Sequence, residues 1–252
     1  MSYIEVSNFS KSINNKFIIQ DINFKLEQGE VLVILGKSGA GKTTLLRNIN
    51  LLDLPNSGRL DIDGEIVYNS NEPVISNKEL QKRHKLIGLV FQSFNLFPQY
   101  TVLDNVTLAL KLNNKKKIAE YRRKIKNRKE VLDFSKKLEE EVFIKASKIL
   151  NDLDLGDKLN SYPYQLSWGE QQRTAIARAL ILNPKVLCFD EPTSALDPSL
   201  TKEVISVINE LKNKKQTMII ITHEIDFAMQ VADKIIVMDQ GKIIEEKVNY
   251  HE

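Results

Sequence analysis

Glu30-Val-Leu-Val-Ile-Leu-Gly36-Lys-Ser-Gly-Ala-Gly-Lys42-Thr43-Thr44 is the stretch on which the fold turns. Its first half is a nearly unbroken apolar run of strand length, the pattern of a strand buried on both faces. Its second half fits G-x-x-x-x-G-K-[ST] without a gap. Small residues there let the chain wrap an anion so that backbone N–H groups point inward. The helix expected from Thr43 to Leu51 adds its positive N-terminal end. Lys42 supplies a point charge for β- and γ-phosphates, and the Thr43 hydroxyl can ligate Mg²⁺. The candidate nucleotide-binding residues are therefore Gly36, Lys37, Ser38, Gly39, Ala40, Gly41, Lys42, Thr43 and Thr44. A Gly/Ser turn without a ligand is the bland alternative. The buried strand before it and the apolar helix after it weigh against that reading.

Working outward, further buried strands are expected at Leu86–Phe91, Val186–Asp190 and Met218–Thr222. Helices are expected near Val102–Leu112, from Lys115 to about Leu150, at Glu170–Leu182 with Ser167 placed as an N-cap, and from Ser199 to Leu211. Short strands at Tyr3–Val6 and Ile22–Leu26, with hairpin signals at Asp63-Gly64 and Asp239-Gln-Gly241, add an antiparallel part. Alternating buried strands and helices predict an α/β fold, a parallel sheet covered by helices. Val186-Leu-Cys-Phe-Asp190-Glu191 ends such a strand in two acids. Asp190 is the candidate Mg²⁺ carboxylate. Glu191, turned away from it by strand alternation, is the candidate general base for an attacking water.

Composition narrows the field. The chain has 252 residues, 42% of them apolar, enough to build a sizeable core. No apolar run approaches the ~20 residues of a membrane span, and Met1–Ser12 lacks the apolar core of a secretory signal. Cys188 is the single cysteine, which excludes an intrachain disulfide and argues against a cysteine-based zinc site. The net charge is +3, yet Lys111–Lys129 alone holds ten Lys/Arg against one Glu. The basic excess belongs to one segment, which argues against a general nucleic-acid role. A solvated helical extension and contact with anionic lipid headgroups are the two readings of that segment.

Leu166-Ser-Trp-Gly-Glu-Gln-Gln-Arg173 resembles the signature sequence of ATP-binding-cassette (ABC) ATPases. Ser194-Ala-Leu-Asp197 resembles their D-loop, Gln92 their Q-loop glutamine and His223 their switch histidine, all in the family's order. The resemblance implies a P-loop NTPase core with an added antiparallel β subdomain, and a helical subdomain at about 93–180 inserted between 1–92 and 181–252. It further implies ATP and Mg²⁺ as ligands, with Thr43, Gln92 and Asp190 at the metal. Glu191, His223 and Gln92 would be catalytic, and Asp197 would lie in the D-loop. Ser167, Gly169 and Glu170 would reach across to the nucleotide of a second copy in an ATP-closed homodimer.

Leu86–Val106, with Phe94, Leu96, Phe97 and Pro98 after Gln92, is similar to the subfamily that serves importers of polar amino acids. That likeness implies integral membrane permease subunits as partners, an extracytoplasmic solute-binding protein, and a peripheral position on the cytoplasmic face of the membrane. Another ABC system (an exporter or lipoprotein release) and a soluble non-transport member are the alternatives. Three features depart from the family pattern. Trp168 replaces the first signature glycine, and Glu170 stands where the family has Gln. Ile13 falls at the position of the adenine-stacking aromatic, with Phe9 and Phe17 out of register. The usual helical tail is expected to be missing after Tyr250–Glu252.

Overall fold

The computed structural model describes residues 2–72, 76–194 and 196–249. It divides into two compact units, Met1–Gln92 with Pro184–Glu252, and Ser93–Asn183.

In chain order the elements of the first unit are β1 (Ile4–Ile13), β2 (Lys16–Leu26), β3 (Val31–Leu35), α1 (Lys42–Ile49), β4 (Ser57–Ile62), β5 (Glu65–Asn69), α2 (Asn77–Arg83) and β6 (Ile87–Val90). After the second unit's α3 (Val102–Lys124), α4 (Arg128–Asp152), a 3₁₀ turn (Pro163–Gln165) and α5 (Trp168–Leu180), the chain returns to the first unit. It continues with β7 (Val186–Asp190), α6 (Pro198–Asn213), β8 (Thr217–Thr222), α7 (Ile225–Val231), β9 (Lys234–Asp239) and β10 (Lys242–Val248).

Two sheets organise the first unit. A six-stranded sheet runs β10-β9-β3-β8-β7-β6, parallel throughout except for the β9–β10 hairpin. Every side chain of β3 and β8 is buried, as their unbroken apolar runs require. A four-stranded antiparallel sheet, β2-β1-β4-β5, supplies the added β part. Its strands β1 and β2 are longer than the sequence pattern indicates. Asn14 and Asn15 both take positive φ, making a two-residue turn that lets the hairpin pair out to Ile13 and Lys16. Asp63-Gly64 and Gln240-Gly241 turn β4–β5 and β9–β10 in the same way. One buried cluster joins both sheets: Phe9, Ile22 and Leu60 from the antiparallel sheet meet Leu32, Ile34, Cys188 and Ile219 from the parallel one. Burial pushes the Cys188 thiol up to about 12, so it stays a neutral, inert core residue.

The short helices α2 and α7 escaped the pattern reading, and one long expected helix is divided. Ser76 caps α2 by accepting from the Glu79 N–H, and that Ser-x-x-Glu spacing is itself a start signal. The expected helix from Lys115 to Leu150 is broken, and α3 runs on from Val102 through Lys124. Ile125 is extended, and Asn127 starts α4 by accepting from the Lys129 N–H. Asn127 followed three residues later by Glu130 is a start signal hidden inside the Lys/Arg periodicity; the Asn127 amide bonds the Glu130 carboxylate at 2.8 Å.

Candidate functional site

The parallel sheet decides where the candidate residues go. Strands β3, β8, β7 and β6 lie side by side and point the same way, so their C-terminal ends share one edge. At that edge β3 feeds Gly36–Gly41, β8 feeds His223, β7 ends in Asp190-Glu191, and β6 leads to Gln92. Neighbouring strands are about 4.8 Å apart, so the span from the loop to Gln92 is roughly 14 Å. Ligands of open α/β sheets bind at this edge.

The loop has the form of an anion cradle. The N–H groups of Gly39, Gly41, Lys42, Thr43 and Thr44 find no acceptor among the described residues, while α1 begins its own bonding only at Leu45 N–H to Gly41 C=O. Lys42 is buried, and its amine donates to the Gly36 and Lys37 carbonyls at 2.7 and 3.2 Å. Thr43 is exposed on the first turn of α1. This donor set fits a polyphosphate, with orphan N–H groups and a lysine converging on one loop.

The outer wall comes from residues that sequence reasoning missed. The Gly241 N–H donates to the Ala40 carbonyl, and the Gln20 N–H donates to the Gly241 carbonyl. The Ile18 carbonyl lies close against Gly41. The two Gly241 bonds tie residues more than 200 positions apart, and no local pattern announces them.

Glu191 stands at the centre of the edge. Its carboxylate is 3.6 Å from the Lys42 amine and 3.3 Å from His223 Nδ1. Strand alternation is not what aims it. The strand ends at Asp190, and Glu191 adopts a left-handed φ of 46° with its N–H bonded to the Ile221 carbonyl. Such a conformation costs a non-glycine residue free energy and is found where function holds it. Asp190 is half-buried. Burial first, then the neighbouring Glu191, push its carboxyl above the usual carboxylate range, while Lys42 and Arg47 pull it back. Gln92 is exposed at the end of the first unit, and its amide makes no hydrogen bond among the described residues.

Asp197 caps α6, accepting from the N–H groups of Ser199 and Leu200 at 2.8 and 3.0 Å. The Ser199 and Leu200 bonds hold its carboxyl below the usual range. Ala195, in the same D-loop stretch, lies outside the described residues, as do Tyr250–Glu252. On the β1–β2 hairpin Ile13 is 53% exposed. Phe9 is excluded as a base platform, because it is buried edge-on against Tyr68. Phe17, next to Ile18, is the exposed ring of that hairpin at 56%.

In the second unit Ser167 caps α5. Its hydroxyl accepts from the Glu170 N–H at 3.3 Å, and the Glu170 carboxylate accepts from the Ser167 N–H at 2.7 Å. That backbone bond first, helped by Lys158, keeps the Glu170 carboxyl low. Gly169 is buried. Trp168 packs its ring on Phe94 with centroids 4.7 Å apart at 66°. Of the apolar residues that follow Gln92, Phe94 is therefore buried, Leu96 is half-buried, and Phe97 and Pro98 are exposed. Phe94 takes a positive φ of 55°, and Arg178 secures the turn by donating to the Phe94 and Asn95 carbonyls at 2.5 and 2.6 Å. Nothing in the local sequence marks Arg178 for this task.

Trp168 is the chain's single tryptophan, so its fluorescence reports this contact alone. Phe94→Ala should shift its emission to the red as water reaches the indole. Losing the ring pair should also cost at least ~1 kcal/mol of stability in chemical denaturation. An unchanged spectrum would show that the rings do not meet.

A polyphosphate cradle with two carboxylates and a histidine at the ends of parallel strands defines a nucleotide-hydrolysing P-loop protein. A family profile described as ABC transporter matches residues 19–194. The chain is 42% identical to the L-cystine transport system ATP-binding protein TcyN of Escherichia coli (strain K12), over 98% of this chain and 90% of that one. It is 44% identical to the glutamine transport ATP-binding protein GlnQ of Geobacillus stearothermophilus, over 91% of this chain and 84% of that one. A solved dimeric structure of the ATP-binding cassette MJ0796, in a post-hydrolysis state bound to ADP and Pi, superposes with a TM-score of 0.74 at 31% identity, covering 99% of this chain and all of that one. The chain belongs to the ABC transporter family and is an ABC ATPase.

Proposed function

We propose that this chain powers a membrane importer of polar amino acids by binding and hydrolysing ATP as a homodimer attached to separate permease subunits. The observation that carries the reading is the cluster of Lys42, Glu191 and His223 beside an anion cradle, on a chain similar along almost its whole length to cystine and glutamine transport ATPases. No helix among the described residues is long and apolar enough to cross a membrane, so the permeation path belongs to other subunits. A peripheral place on the cytoplasmic face and an extracytoplasmic solute-binding protein follow from the same reading.

The residues divide the work. Lys42 and the α1 N-terminus hold the phosphates and neutralise charge that develops on the leaving oxygen. Glu191 takes the proton of the attacking water, and His223 keeps the Glu191 carboxylate in position and orients the water. Gln92 reaches toward the same water. No three His, Cys, Asp or Glu side chains converge among the described residues. Asp190 and the Thr43 hydroxyl, with phosphate oxygens, form a hard-oxygen set that fits Mg²⁺. When bound, Mg²⁺ would screen the phosphate charge. Ser167, Gly169 and the α5 N-terminus supply donors for the γ-phosphate of a second copy, and Asp197, in the D-loop stretch, serves the same dimer. The dimer of MJ0796 supports this arrangement.

Cells in which Lys42→Ala replaces the wild-type chain test the reading. Uptake of one of cystine, glutamine or arginine should fall to background, while uptake of a sugar stays unchanged. Unaltered uptake of all three amino acids would overturn the assignment.

A further inference from the structure

The α3–α4 hairpin carries a surface that ATP hydrolysis does not use. Its two helices run antiparallel: the Asn114 amide bonds the Leu138 carbonyl, and Tyr121 stacks on Phe134 with centroids 4.4 Å apart. The far end, Lys115–Lys129, holds nine Lys/Arg and one Glu. Apart from Lys116, none of these basic side chains joins an ion pair among the described residues. Glu130 and Asp133 in the first turns of α4 offset only part of it: with Glu120 they are three acids against nine Lys/Arg over Lys115–Asp133, and Glu139, Glu140 and Glu141 sit well down the hairpin, so the tip keeps a large positive excess. Charge of this density raises the free energy of the isolated tip and is relieved by an anionic partner.

The surface is also apolar, which separates it from a solvated charged face. A cleft of about 710 Å³ at the tip is floored by Ile118, Ile125, Val131 and Leu132 and rimmed by Arg122, Lys126 and Arg128. Leu132 is 53% exposed and Leu112, further along α3, is 52% exposed. Cationic heads around an apolar floor match an anionic amphiphile, with its phosphate at the rim and its hydrocarbon below. Nucleic acid fits less well. The rings nearest the tip, Tyr121 and Phe134, are stacked on each other and half-buried, and Phe143, the exposed ring of α4, lies well down the hairpin, so the basic tip lacks an interleaved row of stacking platforms.

We propose that the tip of the α3–α4 hairpin binds the anionic surface of a lipid bilayer, with acidic headgroups on Arg122, Lys126 and Arg128 and acyl chain in the cleft over Ile118, Ile125 and Leu132. This contact is independent of the nucleotide site. It anchors the chain to a membrane directly, in addition to any permease.

Flotation with vesicles tests it on the full chain. The wild type should bind phosphatidylcholine vesicles containing phosphatidylglycerol, release as salt rises, and ignore phosphatidylcholine alone. Joint replacement Arg122→Gln, Lys126→Gln and Arg128→Gln should weaken binding on the order of 100-fold, with far-UV circular dichroism and basal ATPase unchanged. Leu132→Ser should weaken it several-fold at constant charge, and serves if the triple variant fails to fold. The proposal is overturned by equal binding to neutral vesicles, or by no binding to anionic vesicles at low salt. Full retention of binding by the triple variant, or tighter binding to single- or double-stranded RNA than to vesicles, also overturns it. Loss of ATPase activity elsewhere leaves the vesicle result unaffected, so this proposal and the transport reading fail separately.

Discussion

Glu191→Gln should bring steady-state ATP hydrolysis down by roughly 10²–10⁴-fold, the range expected for loss of a positioned general base. The amide is isosteric with the carboxylate and tolerates the same left-handed backbone, which is held by the bond from the residue 191 N–H to the Ile221 carbonyl. The cradle is therefore undisturbed, and ATP binding should persist. What disappears is the negative, proton-accepting carboxylate that sits between Lys42 and His223, because the amide oxygen can still accept a hydrogen bond but cannot take the proton of water. Bound ATP that cannot be cleaved should accumulate the homodimer, seen as an ATP-dependent shift in size-exclusion chromatography. In the wild type, activity should rise more than linearly with protein concentration, because each shared site needs two copies. Turnover in the variant above a tenth of wild type would exclude Glu191 as the base.

Gly41→Ala is expected to have the second largest effect, and it acts on binding before chemistry. Gly41 has φ 98°, a conformation that costs an L-residue about 1–2 kcal/mol. A Cβ there would also stand 2.7 Å from the Ile18 carbonyl and 2.9 Å from Ile19 Cγ2. Both belong to a strand of the antiparallel sheet with no room to retreat, since Ile19 is fully buried. The loop must move instead, turning the N–H groups of Lys42 and Thr43 away from the phosphates. ATP affinity should drop on the order of 100-fold, equivalent to the loss of one or two charge-assisted bonds. Gly39→Ala is the control for folding. Its φ is 83°, but a Cβ there meets nothing within 4 Å, so denaturation should register the conformational cost without the collision. Equal destabilisation by the two substitutions would show that the Ile18 contact is unimportant.

The local features of this protein are written in short stretches. The buried β3 run followed by Gly36–Thr44 specifies strand, cradle and helix, because apolar continuity, small residues and a helix N-terminus act within a few residues of one another. The Asp63-Gly64 turn and the Ser167 cap are legible for the same reason: each rests on a side chain bonding its own neighbourhood. The break at Ile125–Asn127 was legible too, in Asn127 and Glu130, but a strong Lys/Arg and isoleucine periodicity masked it.

The rest depends on contacts distant in sequence. That Gln92, Asp190, Glu191 and His223 share one edge follows from the strand order β3-β8-β7-β6, which chain order does not reveal. Glu191 owes its aim to a left-handed residue bonded to β8 rather than to the alternation of its own strand. Phe94, apolar in a polar loop, reads as an exposed contact until Trp168 and Arg178 bury it. Sequence alone determined the class of site, because phosphate binding is a local arrangement of N–H groups and one lysine. Only the tertiary structure decided which side chains surround it, because burial and pairing are set by residues that the chain brings together from far apart.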